Sequence, residues 1–349
     1  MGPPARGYTA GVQGRLKREE LDHLAAFHAL DEHGVTTLLR LANARPDRAE
    51  ARQFIGQALG IGGVLSLAAG LVFFIAANWS DITIFGRFAL VEAVLIACGA
   101  LAFWKPPPSG LGRGALFLAF VATGALLALF GQTYQTGADV YELFLGWALL
   151  GLPLVLLSRW SVTTAAWVLV LNLALVLYCG WRPTGGLLWL LLGDSRFQTA
   201  DLVMAAAWLN LLLWFAAERL RPEAVPDWVR RLFVTFAFLF ATWAGILSAV
   251  FDELTYPGAP VSMSLAPLAY LVMLAVSAVY TLRRRDDIYP LAVAMGSFIA
   301  VSLVWMAQAI DAQSEGVFLL FALYLVAVSA IGGRVLLTLL RRWRVAEAT

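Results

Sequence analysis

The chain has 349 residues, 60% of them hydrophobic and 14% charged, with a mean hydropathy of +0.76. Soluble domains carry about 25% charged and roughly 45–50% apolar residues, so this composition excludes an ordinary soluble protein and makes the lipid bilayer the expected solvent. The formal charge is only +2, and no nucleic-acid partner is expected. Just two of the 25 basic residues, Lys17 and Lys105, are lysine, which together with abundant Ala, Leu and Arg reads as the bias of a GC-rich bacterial coding sequence.

The chain opens with a polar stretch, residues 1–52, that contains no apolar core of a cleavable signal peptide. Within it, "REELDHLAAFHAL" spaces Leu21, Leu24, Ala25, His28 and Leu30 as a helix does. Gly34 marks a stop, "VTTLLRLA" restarts, and Pro46 with Asp47 and Glu50 suits the first turn of a third helix. His23, His28 and His33 recur every five residues, which spreads them around a helix instead of gathering them on one face, so no metal site is expected. Fifty residues make a helical cap for docking or self-association and are too few for a catalytic domain with its own core.

A transmembrane helix needs about 20 mostly apolar residues. Ten segments qualify: 54–77, 85–104, 114–130, 142–157, 162–181, 200–217, 232–251, 264–282, 288–310 and 317–340. The predicted fold is an all-α polytopic membrane helix bundle of about ten spans (53–341), preceded by the 1–52 cytoplasmic helical segment and followed by a tail, 342–349. "GGLLWLLLG", residues 185–193, is too short to span and reads as interfacial or re-entrant. Alternating the spans puts 22 basic residues on the side of both termini and leaves Arg87, Arg182 and Arg196 on the other. The positive-inside rule then places both termini in the cytoplasm of a bacterial inner membrane. Cys98 and Cys179 fall near opposite faces, so no disulfide between them is expected.

Within the spans, Gly56 and Gly60 form GxxxG, and Gly63 and Gly70 continue a small-residue stripe. Such stripes let helix backbones approach closely; contact with another span of the same chain is expected, and a homo-oligomer seam is the alternative. Glu92 is the one clear intramembrane carboxylate, fit either to carry a cation or proton or to pair structurally with another span. Asn172 and Asn210 sit near the middles of their spans and are expected to bridge helices.

Three outer hairpins, "FIAANWSDITIFGRF", "ALFGQTYQTGADVYELF" and "VWMAQAIDAQSEGVFLLF", each join two apolar runs through a short polar link. They offer Asn78, Asp81, Gln132, Tyr134, Gln135, Gln308 and Asp311 at one membrane face. With Glu92, these are the candidate ligand-binding residues, because amides beside aromatic faces suit binding of a small polar or cationic ligand; ordinary loop polarity and interfacial anchoring explain the same residues. Asp139 followed by Glu142 has the spacing of a capping box. No nucleophile elbow, zinc-protease or nucleotide-binding motif occurs in a usable context, so no catalytic residue, metal or cofactor is assigned.

The helical lead, "GGVLSLAAGLVFFIAANWSDI" and "GQTYQTGADVYELFLGWALLGLPLVLLSR" together resemble an uncharacterised family of predicted bacterial multi-pass membrane proteins, a domain of unknown function. The resemblance runs over roughly residues 15–160 and implies a bacterial membrane location without adding catalytic residues. The function expected is a transporter, or a binding protein for a small ligand or lipid headgroup, with a polar outer mouth. The alternative is a non-catalytic scaffold or envelope-stress partner acting through residues 1–52.

Overall fold

A computed structural model describes residues 26–41, 48–77, 82–134, 137–180, 199–220, 225–250, 264–284, 287–310 and 315–348. Among these, all regular structure is helical: α1 (Glu32–Leu41), α2 (Arg48–Ala77), α3 (Ile84–Trp104), α4 (Gly110–Tyr134), α5 (Val140–Ser158), α6 (Ser161–Gly180), α7 (Thr199–Leu220), α8 (Asp227–Val250), α9 (Ala266–Arg284), α10 (Tyr289–Ala309) and α11 (Glu315–Ala348). Nine of the described helices, α3 to α11, are long and apolar enough to cross a membrane. The first expected span, 54–77, lies within the 30-residue α2, so all ten expected spans coincide with helices. The 185–193 segment lies outside the described residues.

The chain divides into two units, Met1–Gly70 and Leu71–Thr349. Among the described residues of the first, nothing stands within 4 Å of where a Cβ would project from Gly56, Gly60, Gly63 and Gly70. In the second, α8 is the hub, packing on α6, α7, α9 and α10. The helices α3, α4, α5 and α6 continue from one side as a run of neighbours, and α11 joins the other side through α10.

Local sequence explains where helices start and stop. The Thr83 hydroxyl accepts from Gly86 N at 3.2 Å and caps α3, which ends at Lys105 ahead of three prolines. Pro290 sits in the first turn of α10, where a missing N–H costs nothing. The start of α9 is capped from a neighbour: Asp201 of α7 accepts from Ala266 N at 2.8 Å and from the Ser264 hydroxyl at 3.0 Å. The capping box expected at α5 does not form. Asp139 is the N-cap residue but makes no side-chain capping bond, and Glu142 instead accepts from the Tyr141 hydroxyl at 3.3 Å. With the Tyr141 phenol buried beside it, the carboxylate satisfies a buried donor in place of the helix start.

Packing in the large unit relies on small residues and on aromatic donors. Ala206 and Ala207 of α7 and Ala237, Ala241 and Ala244 of α8 are all at most 4% exposed, which lets these two backbones come close. Between α4 and α5 the fit is reciprocal. The Trp147 ring of α5 occupies the space a Cβ on Gly124 would need, and the Phe120 ring of α4 does the same at Gly151. Three indoles then donate to backbone carbonyls of adjacent helices, each at 2.8 Å: Trp147 to Phe120, Trp167 to Ala148, and Trp305 to Gly245. A helical carbonyl already accepting from its own ladder still has a second lone pair, so these bonds tie helices together without breaking either ladder.

Asn172 and Asn210 bridge α6 and α7 as expected. Asn172 Nδ2 donates to Asn210 Oδ1 at 3.1 Å, and Asn210 Nδ2 returns the bond to Asn172 Oδ1 at 2.8 Å. Each amide also donates one turn back, to Val168 O at 2.8 Å and Ala206 O at 3.0 Å. All four amide N–H groups are thereby satisfied in a site at most 1% exposed. Replacing one member strands the other, so Asn172→Leu is expected to destabilise the folded protein in detergent by about 1–3 kcal/mol. The double Asn172→Leu/Asn210→Leu variant should recover most of that loss, as a thermal-unfolding double-mutant cycle would show.

Candidate functional site

Polar side chains converge where α7 and α9 end and α8 and α10 begin. A cavity of about 160 Å³ opens there, bounded by Trp214 and Glu218 of α7, by Asp227, Arg230, Arg231 and Val234 of α8, by Tyr280, Thr281 and Arg284 of α9, and by Asp287 and Pro290 at the head of α10. Drug-sized pockets run from about 300 to 1,000 Å³, so this one is smaller than those.

Its charges are partly committed to each other. Arg231 clasps Asp287 with two bonds, Nε to Oδ2 at 3.1 Å and Nη2 to Oδ1 at 3.2 Å. Asp287 also accepts from Tyr289 N at 3.0 Å, the Arg231 guanidinium lies 5.2 Å from the Tyr289 ring centre, and Tyr289 shares a 2.8 Å hydroxyl bond with Thr235. This fixes the head of α10 against the first turns of α8. Arg230 pairs with Asp227 at 2.9 Å and donates through Nε to Val225 O at 3.0 Å.

Aromatic rings line the opposite wall. Tyr280 donates to a carboxylate oxygen of Glu218 and stands edge-on to Trp214 at 5.1 Å and to Phe215 at 4.8 Å. The Arg284 guanidinium sits 5.9 Å from the Tyr280 ring centre, within cation–π range. Deeper in, Ser277 and Thr281 lie one turn apart on α9. Both are at most 2% exposed, and among the described residues their hydroxyls have no hydrogen-bond partner. Buried hydroxyls are normally satisfied, so this wall holds unused bonding capacity.

Of the residues expected from sequence, those that the structure describes lie elsewhere. Gln308 is exposed near the end of α10, a helix of 21 residues whose other end meets the cavity; at about 1.5 Å per residue the two are a bilayer's thickness apart. Gln132 is exposed near the end of α4, and Tyr134 is 58% exposed beside Phe130 and Phe88. Because α4 packs on α3, α5 and α6, while α10 packs on α8, α9 and α11, the two glutamines belong to different neighbourhoods. Glu92 is exposed on α3. Asn78, Asp81, Gln135 and Asp311 lie outside the described residues.

None of the cavity residues stood out in the sequence as a site, because the arginines there served the topology. The usable signal was the mixture of signs: Glu218, Asp227 and Asp287 fall among the arginines at the ends of four successive spans.

Residues 22–164 match the model of a family described as "Predicted membrane protein (DUF2157)", in line with the resemblance drawn from the helical lead and the first hairpins. No curated protein and no solved structure matches the chain. The matched segment ends before α7, so the cavity is built wholly from the remainder.

The Arg231–Asp287 pair is partly open to solvent, at 47% and 36% side-chain exposure. Asp287→Asn is therefore expected to lower stability by less than about 1 kcal/mol. High salt should erase the difference from wild type in thermal unfolding.

Proposed function

We propose that this is a multi-pass protein of the bacterial cytoplasmic membrane that binds a small polar ligand or lipid headgroup in the α7–α10 cavity. The observation that carries the reading is the cavity itself, where guanidinium, carboxylate and phenol groups and the buried Thr281 hydroxyl meet at the ends of four apolar helices. Arginine distribution supports placing both termini, and with them this cavity, on the cytoplasmic side. Binding accounts for the arrangement better than passage does: the closed Asn172–Asn210 pair fills the middle of α6 and α7 with satisfied amides, leaving no spare polar group there to carry a solute.

The test is retention of a bound species after purification. Protein would be reconstituted in a mixture of phosphatidylethanolamine, phosphatidylglycerol and cardiolipin, re-extracted, and weighed by native mass spectrometry. Wild type and Gln132→Ala/Gln308→Ala should keep bound lipid, and Glu218→Gln/Arg284→Gln should lose it. The opposite pattern would move the site to the far membrane face, and no retained species in any form would refute the binding reading.

A further inference from the structure

Resting on that binding reading, we infer that the cavity takes a zwitterionic phosphoethanolamine group, one phosphate and one primary ammonium, as carried by an aminophospholipid. The first argument is charge balance. Among the described residues, three guanidinium groups (Arg230, Arg231, Arg284) face three carboxylates (Glu218, Asp227, Asp287) around the cavity. A purely anionic headgroup entering this set must take a guanidinium from a carboxylate and leave the acid uncompensated, which is costly near hydrocarbon. A headgroup bearing both charges exchanges partners on both sides and leaves no charge over.

The second argument is where those charges stand. Arg231 is held by its two bonds to Asp287, so that pair acts as a wall. Arg284 lies over the Tyr280 ring at the rim, and Arg230 reaches the cavity from the first turn of α8 while paired with Asp227 at 2.9 Å, the pair whose partners the headgroup exchanges. Guanidinium groups bind phosphate through paired N–H donors. On the ammonium side are Glu218, which accepts from Tyr280, and Asp227, whose side chain is 74% exposed. The Trp214 and Tyr280 rings stand beside Glu218, and a primary ammonium gains from both a carboxylate and an aromatic face. The third argument is size and depth. About 160 Å³ holds a headgroup but not acyl chains, and the cavity lies at the ends of apolar helices, level with headgroups, so the chains can stay in the bilayer.

Microscale binding to the full-length protein in detergent tests this with short-chain phosphatidylethanolamine, short-chain phosphatidylglycerol and soluble glycerophosphoethanolamine as probes. Phosphatidylethanolamine should bind about ten-fold or more tighter than phosphatidylglycerol, the difference one charge-assisted contact supplies. Glu218→Gln should remove that preference, weakening phosphatidylethanolamine binding and tightening phosphatidylglycerol binding. Asp227→Asn, at a position whose side chain is 74% exposed, should weaken the preference if Glu218→Gln fails to yield monodisperse protein. Arg284→Gln should weaken both lipids together. Glycerophosphoethanolamine binding as tightly as the lipid would support the headgroup chemistry and name the free ester as its source; weaker binding would name the lipid. Equal or tighter binding of phosphatidylglycerol, or a preference untouched by both carboxylate variants, would overturn the inference while leaving a lipid-binding cavity in place.

Discussion

In hydrocarbon a buried donor or acceptor has no water to turn to, so every one must find its partner within the protein. The Asn172–Asn210 ring meets this demand at the midpoint of α6 and α7, with four amide N–H groups and four acceptors closed on themselves. The same demand is met between α8, α9 and α10 by the Thr242–Ser297–Tyr270 hydroxyl chain, with links of 2.7 and 3.1 Å. Indole donors to neighbouring carbonyls serve it along α4, α5, α6 and again from α10 to α8. Small residues on α7 and α8 let the backbones come near enough for such short bonds. Position and packing in the large unit therefore follow from polar satisfaction as much as from apolar fit.

That constraint also sets where function can reside. A helix interior that must be closed and dry cannot offer spare bonding groups, so charge and unsatisfied polarity move to the helix ends. Among the described residues they gather most densely where α7 to α10 meet. There Arg231 and Asp287 lock α10 to α8, while Glu218, Tyr280 and Arg284 line a space still open. Four buried polar atoms among the described residues depart from this rule, Arg113 Nε, Thr163 Oγ1, Ser277 Oγ and Thr281 Oγ1, and the last two lie at and just behind the wall of this cavity. A structural lock and the proposed binding surface are built from the same helix termini.

The spans were legible because about twenty apolar residues in a row leave few alternatives, and the asparagine bridge because an amide in mid-span needs a partner on another helix. The capping box was misread: Asp139 and Glu142 have its spacing, yet a buried Tyr141 hydroxyl competes for the glutamate, a tertiary fact invisible in a four-residue pattern. The cavity was illegible for a related reason. Residues 214 to 290 come together only when α7 and α9 end beside the starts of α8 and α10, and α8 holds the centre of that arrangement. Polar character in a loop, by contrast, is plain in sequence but does not imply convergence, and Gln132 and Gln308 are exposed on helices that pack with different neighbours.

The most direct measurement is an experimental structure in a lipid bilayer disc containing phosphatidylethanolamine. Headgroup density between Glu218, Arg230 and Arg284, with the Asn172–Asn210 pair closed beneath it, is the predicted result. A cavity filled by its own side chains, or a water-lined path running from the Gln132 and Gln308 end to an opened asparagine pair, would contradict it.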